Sequence, residues 1–489
     1  MAWLGTGSSQ GWARHVLLEI DSAGCWSKIS TNVSREQAQQ QAATVTSGPL
    51  LPGLVNAHSH AFQRAFAGLA ERRSNELDDF WSWRDRMYRV ALAISPQQLK
   101  AVASQLYLEL LRGGYTHVCE FHYVHHALDG KRYDDPLTTS WMLIEAAAEV
   151  GIGLTMLPVL YERSGFTATT LRDDQRRFAA DAAWVIDAQQ RITAYSANSA
   201  TLNAGVAIHS LRAASPASIR TLANSARGPI HIHVAEQTGE VDESVKITGL
   251  RPVEWLVKHH ALDSRWQLIH ATHVTQAEIE SVARSAASVV ICPTTEANLG
   301  DGTTDLAAWL TAGTAMSIGS DSHVTRDWRE ELRWLEYGQR LLHRARNIAA
   351  SPSTGCSATA ERLFSRVVTG STAACGHPLW GLVVGARADA LVVNRAQPAL
   401  LGMPDSRTLD ALIFSSPAVP FDDVMVAGRW VLRAGEAASN TAIAGAFAGA
   451  MRELCADVRW HAPRRLEAAF PQNFRQQLSA DSANILGLA

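Results

Sequence analysis

The sequence predicts an α/β protein: a (β/α)₈ barrel of the TIM type with a small β-sandwich built from both chain ends. Three observations carry that prediction. Eight mostly apolar runs of strand length follow one another along the middle of the chain. Segments with helix-start and helix-stop signals separate them. Both flanks turn to short β-branched runs punctuated by Gly and Asp. An open doubly wound sheet is the runner-up.

The first barrel run starts at Leu51, and the others span 115–123, 151–161, 203–212, 228–236, 266–273, 288–295 and 314–323. Barrel strands are buried on both faces, so their apolar runs need not alternate with polar residues. Between them, Ser95-Pro96 opens a helix that closes at Gly113-Gly114, Ser215-Pro216 opens another, and Thr275 with Glu278 forms a capping box. Residues 1–50 hold a strand, HVLLEID at 15–21, and a polar Gln/Ala-rich stretch that cannot build a core alone. Its partner is expected in 378–435, where GLVVGARADALVVN, ALIFS and DVMVAGRWVLRAGE alternate apolar runs with turn signals. The expected division is therefore 1–50 and 378–435 for the β-sandwich, 51–377 for the barrel, and 436–489 for an Ala-rich helical tail.

A chain of 489 residues, 47% of them hydrophobic, can bury a large core and exceeds the usual single-domain size. Its 44 basic and 47 acidic residues include no run of five like charges, which argues against a nucleic-acid or polybasic membrane partner. No 18 apolar residues run together and no basic n-region precedes an apolar stretch, so the chain reads as neither membrane-spanning nor exported. The six cysteines are scattered without a CxxC pair, as free thiols of a reducing cytoplasm would be.

The first strand ends in His58 and His60. On an extended strand, residues i and i+2 share a face, so both imidazoles can reach one Zn²⁺-like ion. The spacing alone is weak evidence in a chain of 18 histidines, and His231 with His233 repeats it. Position adds weight, because barrel enzymes keep their chemistry at the C-terminal ends of the strands. His209, His233, Glu236, His270 and Asp321 also fall near strand ends. A lone strand histidine is usually a satisfied core residue, and an aspartate after Gly-Ser is usually a turn. Seven such groups converging on one mouth would cost several kcal/mol in desolvation unless a metal or substrate compensated them. The pairs His125-His126 and His259-His260 end no strand and are read as surface residues.

These residues resemble the amidohydrolase superfamily, and within it the mononuclear deaminase branch, over most of the chain. In that family HxH closes strand 1, a histidine followed three residues later by glutamate closes strand 5, a histidine closes strand 6 and an aspartate closes strand 8. The resemblance implies that His58, His60, His233 and Asp321 hold one divalent metal ion, zinc before others. It makes Glu236 the proton shuttle, with His270 and Asp321 assisting catalysis. Binuclear members bridge their metals with a lysine or glutamate on strand 3 or 4, and neither 151–161 nor 203–212 contains one. NAHSHAFQRAFAGLAE, IHSLRA, HVAEQ, CPTTEANLGDG and SDSHVTRD are similar, in order, to the branch's deiminases of formimidoyl amino acids. They imply substrate contacts by Gln63, Arg84, Tyr123, His209 and Arg212, although Arg84 in DDFWSWRDR also reads as a surface ion pair. The implied reaction converts N-formimidoyl-L-glutamate to N-formyl-L-glutamate and ammonia in L-histidine degradation, catalysed by a cytoplasmic homodimer. Deamination of a purine or another aromatic base by the same metal set is the alternative.

Overall fold

In the computed structural model, which describes residues 1–5, 10–73 and 78–458, eight parallel strands close into a barrel. They are β1 (Leu54–Ser59), β2 (Tyr115–His122), β3 (Gly153–Leu160), β4 (Leu202–Ala204 and Val206–Ile208), β5 (Ile230–Val234), β6 (Trp266–His270), β7 (Ser288–Ile291) and β8 (Ala315–Ile318). All eight expected runs contain a strand. Ile318 pairs with Asn56 to close the ring. Both pieces of β4 lie against β3, and Gly205 separates them where a Cβ would come 2.5 Å from the Pro229 carbonyl oxygen. Every residue of β1, β2, β3, β5, β6 and β7 is buried, which is why these runs show no polar alternation. In the run 288–295 the strand stops at Ile291, because Pro293 opens the helix Pro293–Leu299 within it.

The helix signals hold. Ser95 caps Pro96–Arg112 with a full capping box, Ser215 caps Pro216–Ser225, and Thr275 and Glu278 satisfy each other's backbone at the start of Gln276–Ser285. Each fixes where chain leaving the barrel turns back along its outside.

The small β unit does join both ends, but not by the pairing expected. Its six-stranded sheet runs in the order Arg429–Leu432, Phe421–Val426, Ala390–Val393, Leu50–Leu51, Ala2–Leu4, Gly11–Ala13. The distant partner of 378–435 is thus Leu50–Leu51, with Leu51 opposite Leu391. The HVLLEID strand, observed as Leu17–Ile20, pairs instead with Trp26–Ser30 next to it in sequence. A hairpin closes with little loop entropy, and the apolar face it leaves open lies on the sheet, where Leu18 and Trp26 pack with Ala2, Ala390 and Met425. Most of ALIFS is helical, in Thr408–Phe414 with Ser415 as its C-cap: Leu409, Leu412 and Ile413 are buried at helical spacing. The C-terminal segment forms the helix Asn440–Asp457 against Pro96–Arg112, and the rest of the expected tail, 459–489, lies outside the described residues.

His125 and His126 are buried, contrary to the surface reading. The chain after β2 folds back beneath Asp173–Phe178, where both backbone N–H groups donate to the Arg177 carbonyl and the rings bond Val159 and Ala179. His259 is exposed and stacks on Trp255, and His260 is half-buried.

Candidate active site

The strand ends bring His58, His60, His209, His233, Glu236, His270 and Asp321 to one mouth. His58 lies in β1 and His60 just after it; His233 lies in β5, His270 ends β6, and Asp321 follows β8. His58 Nε2 and His60 Nε2 stand 3.5 and 3.4 Å from Asp321 Oδ1, and His233 Nε2 stands 2.9 Å from His58 Nε2. His270 Nε2 is 3.7 Å from Asp321 Oδ2 and 3.9 Å from Glu236 Oε1. Backbone strain concentrates here. Ala235, His270, Ala271, Asp321 and His323, none of them glycine, all have positive φ, so the strand ends are held in a conformation that surrounding structure must enforce.

The donor set fits a divalent cation. His60 Nδ1 bonds the Phe121 carbonyl oxygen at 2.9 Å and His233 Nδ1 bonds that of His209 at 2.9 Å. A carbonyl can only accept, so each Nδ1 carries the proton and each Nε2 turns a lone pair inward. Burial first, then the neighbouring imidazoles, holds His58 and His233 well below the usual histidine range. Neutral imidazoles converging on a carboxylate are what a metal needs. His117, Cys375 and His377 also cluster at the other end of the barrel, but there His117 already accepts from Arg387 at 3.0 Å and bonds Thr155 at 2.7 Å. A guanidinium at that distance opposes a cation.

The cavity above the donors is lined by His60, Gln63, Arg84, Tyr123, His209, Arg212, His233, Glu236, His270 and Asp321, together with Phe80, Trp83, Met87 and Tyr88 of the helix Phe80–Ala93 and with Tyr161 and Leu299. All five expected substrate contacts therefore face one space. Gln63 donates to Tyr123 Oη at 3.2 Å, and its own Oε1 is buried with no hydrogen-bond partner among the described residues. Arg84 lies over Trp81 at 4.6 Å, and Arg212 approaches the same ring at 5.6 Å. Burial and the two arginines hold His209 well below the usual range, so it is a neutral hydrogen-bonding group, not a third cation.

Charge sets the proton chemistry. Burial lifts Glu236 to about 7; Asp321 and Glu240 add to the rise, and His270 and Arg212 oppose it. Burial works against charge on His270, but Glu236, Asp321 and the hydrogen bond from Nδ1 to Glu296 at 3.2 Å outweigh it and raise the ring to about 10. Glu240 and Glu296 escaped the sequence reading. Glu240 is one helical turn past Glu236, accepts from the Glu236 N–H at 3.2 Å and is the carboxylate that most raises Arg212. Its i+4 spacing is the only signal it left. The aromatic wall from Phe80 to Tyr88 was likewise missed, because an amphipathic helix covering a mouth reads like one covering a core.

The sequence pattern of the amidohydrolase family matches residues 50–431, and the chain belongs to that family. Within it, the chain is 44% identical over 450 residues to formimidoylglutamate deiminase of Pseudomonas aeruginosa, covering 91% of this chain and 97% of that one. A crystal structure of an amidohydrolase from Brucella melitensis superposes with a TM-score of 0.85 at 39% identity, covering 91% and 97% of the two chains. A 5-methylthioadenosine/S-adenosylhomocysteine deaminase of Halobacterium salinarum is 25% identical, over 80% of this chain and 87% of its own.

Proposed function

We propose that this protein hydrolyses N-formimidoyl-L-glutamate to N-formyl-L-glutamate and ammonia, a step of L-histidine degradation. One observation carries the reading. Arg212, only 8% exposed, and Arg84 both line the cavity opposite the donor cluster, each with a buried Nε that makes no hydrogen bond among the described residues. Guanidinium groups match carboxylates in a fork, and this substrate brings two carboxylates and a cationic formamidine. A neutral purine would bring no carboxylate to either buried Nε, which argues against it. The formimidoylglutamate deiminase relative at 44% identity supports the same choice.

His58, His60, His233 and Asp321 would hold one divalent ion, and their nitrogen-rich set favours zinc. Bound there, the ion supplies Lewis acidity and a water that is nucleophilic at neutral pH. Glu236 takes the proton of the attacking water and returns it to the departing nitrogen, a double task that suits a carboxyl near 7. His270, held by Glu296, polarises the carbon under attack or stabilises the tetrahedral intermediate, and Asp321 assists the water proton. Gln63 Oε1 accepts from the formamidine N–H. Tyr123, His209, Arg84 and Arg212 orient the dicarboxylate end.

Residues 51–377 form the catalytic unit in this reading, apart from Leu51 in the six-stranded sheet, with 1–50 and 378–435 the β-sandwich and 436–489 the tail. A cytoplasmic homodimer fits the free thiols and the exposed stripe of Trp334, Tyr337, Leu341 and Leu342 on the helix Trp328–His343. No helix among the described residues is long and apolar enough to cross a membrane. An ammonia-release screen over N-formimidoyl-L-glutamate, N-formimidoyl-L-aspartate, guanine, adenosine and cytosine tests the function. Faster release from guanine or adenosine than from formimidoylglutamate would replace this reading with the purine one.

A further inference from the structure

β1 and β2 lose their regular register between Asn56 and Ser59, at the segment that carries His58 and His60. On one side, backbone of the β8 loop holds that segment: Asp321 N donates to the His58 carbonyl at 3.0 Å and His60 N donates to the Asp321 carbonyl at 3.4 Å. On the other side stands Glu120 of β2, 1% exposed, paired with Ser59 across the break. Its Oε1 accepts from Ala61 N at 2.6 Å, and its Oε2 accepts from Ser59 Oγ at 2.8 Å and Tyr107 Oη at 3.2 Å. Ser59 lies between the two histidines and Ala61 directly follows the second. Glu120 neither lines the cavity nor belongs to a donor cluster that could hold a metal among the described residues. A buried carboxylate is a costly way to fill a core, yet here both oxygens are aimed at the HxH segment and at the Pro96–Arg112 helix that braces it.

We propose that Glu120 is a positioning residue for the metal centre: by accepting from Ser59 and Ala61 where the β1–β2 ladder breaks, it sets the spacing of the His58 and His60 imidazoles. The inference rests on the reading that these histidines hold a divalent ion. The groups that orient metal ligands typically contribute about 10–100-fold in metal affinity.

The test measures the zinc dissociation constant of the full chain by competition with a chromophoric chelator. It compares wild type with Glu120→Gln, Glu120→Ala, Ser59→Ala and the Ser59→Ala/Glu120→Ala double variant, with thermal unfolding of the chelator-treated proteins alongside. Glu120→Gln should stay within about threefold of wild type, since the amide oxygen can keep the Ala61 bond while its NH₂ donates to the two hydroxyls. Glu120→Ala should bind zinc at least about tenfold more weakly, and Ser59→Ala should weaken it less and non-additively with Glu120→Ala. Wild-type zinc affinity in Glu120→Ala, with only the metal-free unfolding temperature lowered, would show a purely structural role and overturn the proposal. So would a Glu120→Gln variant as weak as Glu120→Ala, because charge and not geometry would then be acting. If Glu120→Ala does not fold, Ser59→Ala and Tyr107→Phe decide, and wild-type affinity in both overturns the proposal. A wild-type chain that binds no stoichiometric zinc would instead refute the metal reading itself.

Discussion

Replacing Arg212 by methionine keeps most of the side chain's length and apolar stem while removing the guanidinium. Arg212 is 8% exposed, and burial opposes its charge, but Glu240, Glu236 and two tyrosines more than restore it. Its Nε has no hydrogen-bond partner among the described residues, so a substrate carboxylate meets a buried, ready donor. Losing one partner of such a buried pair costs about 3–5 kcal/mol. At 1.4 kcal/mol per factor of ten, kcat/KM on formimidoylglutamate should fall by about 10²–10⁴ with metal content unchanged. A second consequence separates this from general damage. Arg212 is one of the groups holding Glu236 down, so without it the Glu236 carboxyl should rise above about 7. Glu236 must be ionised to accept the water proton, so the ascending limb of the kcat/KM pH profile should move to higher pH. Steady-state ammonia release between pH 6 and 9 measures both effects. A kcat/KM within threefold of wild type, or a loss with the limb unmoved, would refute the reasoning. Arg84→Met should cost less, because its side chain is 15% exposed and partly hydrated.

Glu236→Gln should keep its metal and lose about 10²–10⁴ in kcat, the usual worth of a general acid/base, and near-normal turnover would remove Glu236 from the mechanism. Chelation should lower the unfolding temperature and abolish activity, and zinc should restore both. At a free ion concentration a thousand times the dissociation constant the stabilisation is about 4 kcal/mol, so unchanged calorimetry after complete metal removal would sink the metal reading. His122, fully buried against Thr139, is lowered by burial first and by Arg177 next, from 6.5 to about 3. The unfolded chain therefore binds a proton that the folded chain refuses. This stability is fully present above pH 6.5 and is lost at about 1.4 kcal/mol per pH unit as pH falls toward 3. Urea unfolding of His122→Asn between pH 6.5 and 4.5 should show a flatter loss than wild type, and parallel curves would contradict it.

The barrel was legible because its strands are buried on both faces, and burial on both faces writes itself as apolar runs bounded by caps and glycines. The site was legible for a related reason. Histidines and carboxylates that interrupt such runs near their ends are hard to account for unless they converge, and the closed ring brings His58, His60, His233, His270 and Asp321 together. The β unit was half legible: the sequence showed that both ends are strand-rich, but not that Leu17–Ile20 would choose its neighbour Trp26–Ser30 while Leu50–Leu51 took the distant partner. A local hairpin and a long-range pair present similar apolar patterns, and loop closure separates them only in the folded chain. The sequence by itself determined the strand count and marked the histidines and carboxylates at the strand ends, while the arginines entered through the family resemblance. Only the tertiary structure decided that His209 is neutral, that His125 and His126 are buried, and that Glu240 and Glu120 stand behind the site. Burial and charge at a point depend on everything packed around it, and that surrounding is assembled from residues far apart in the chain.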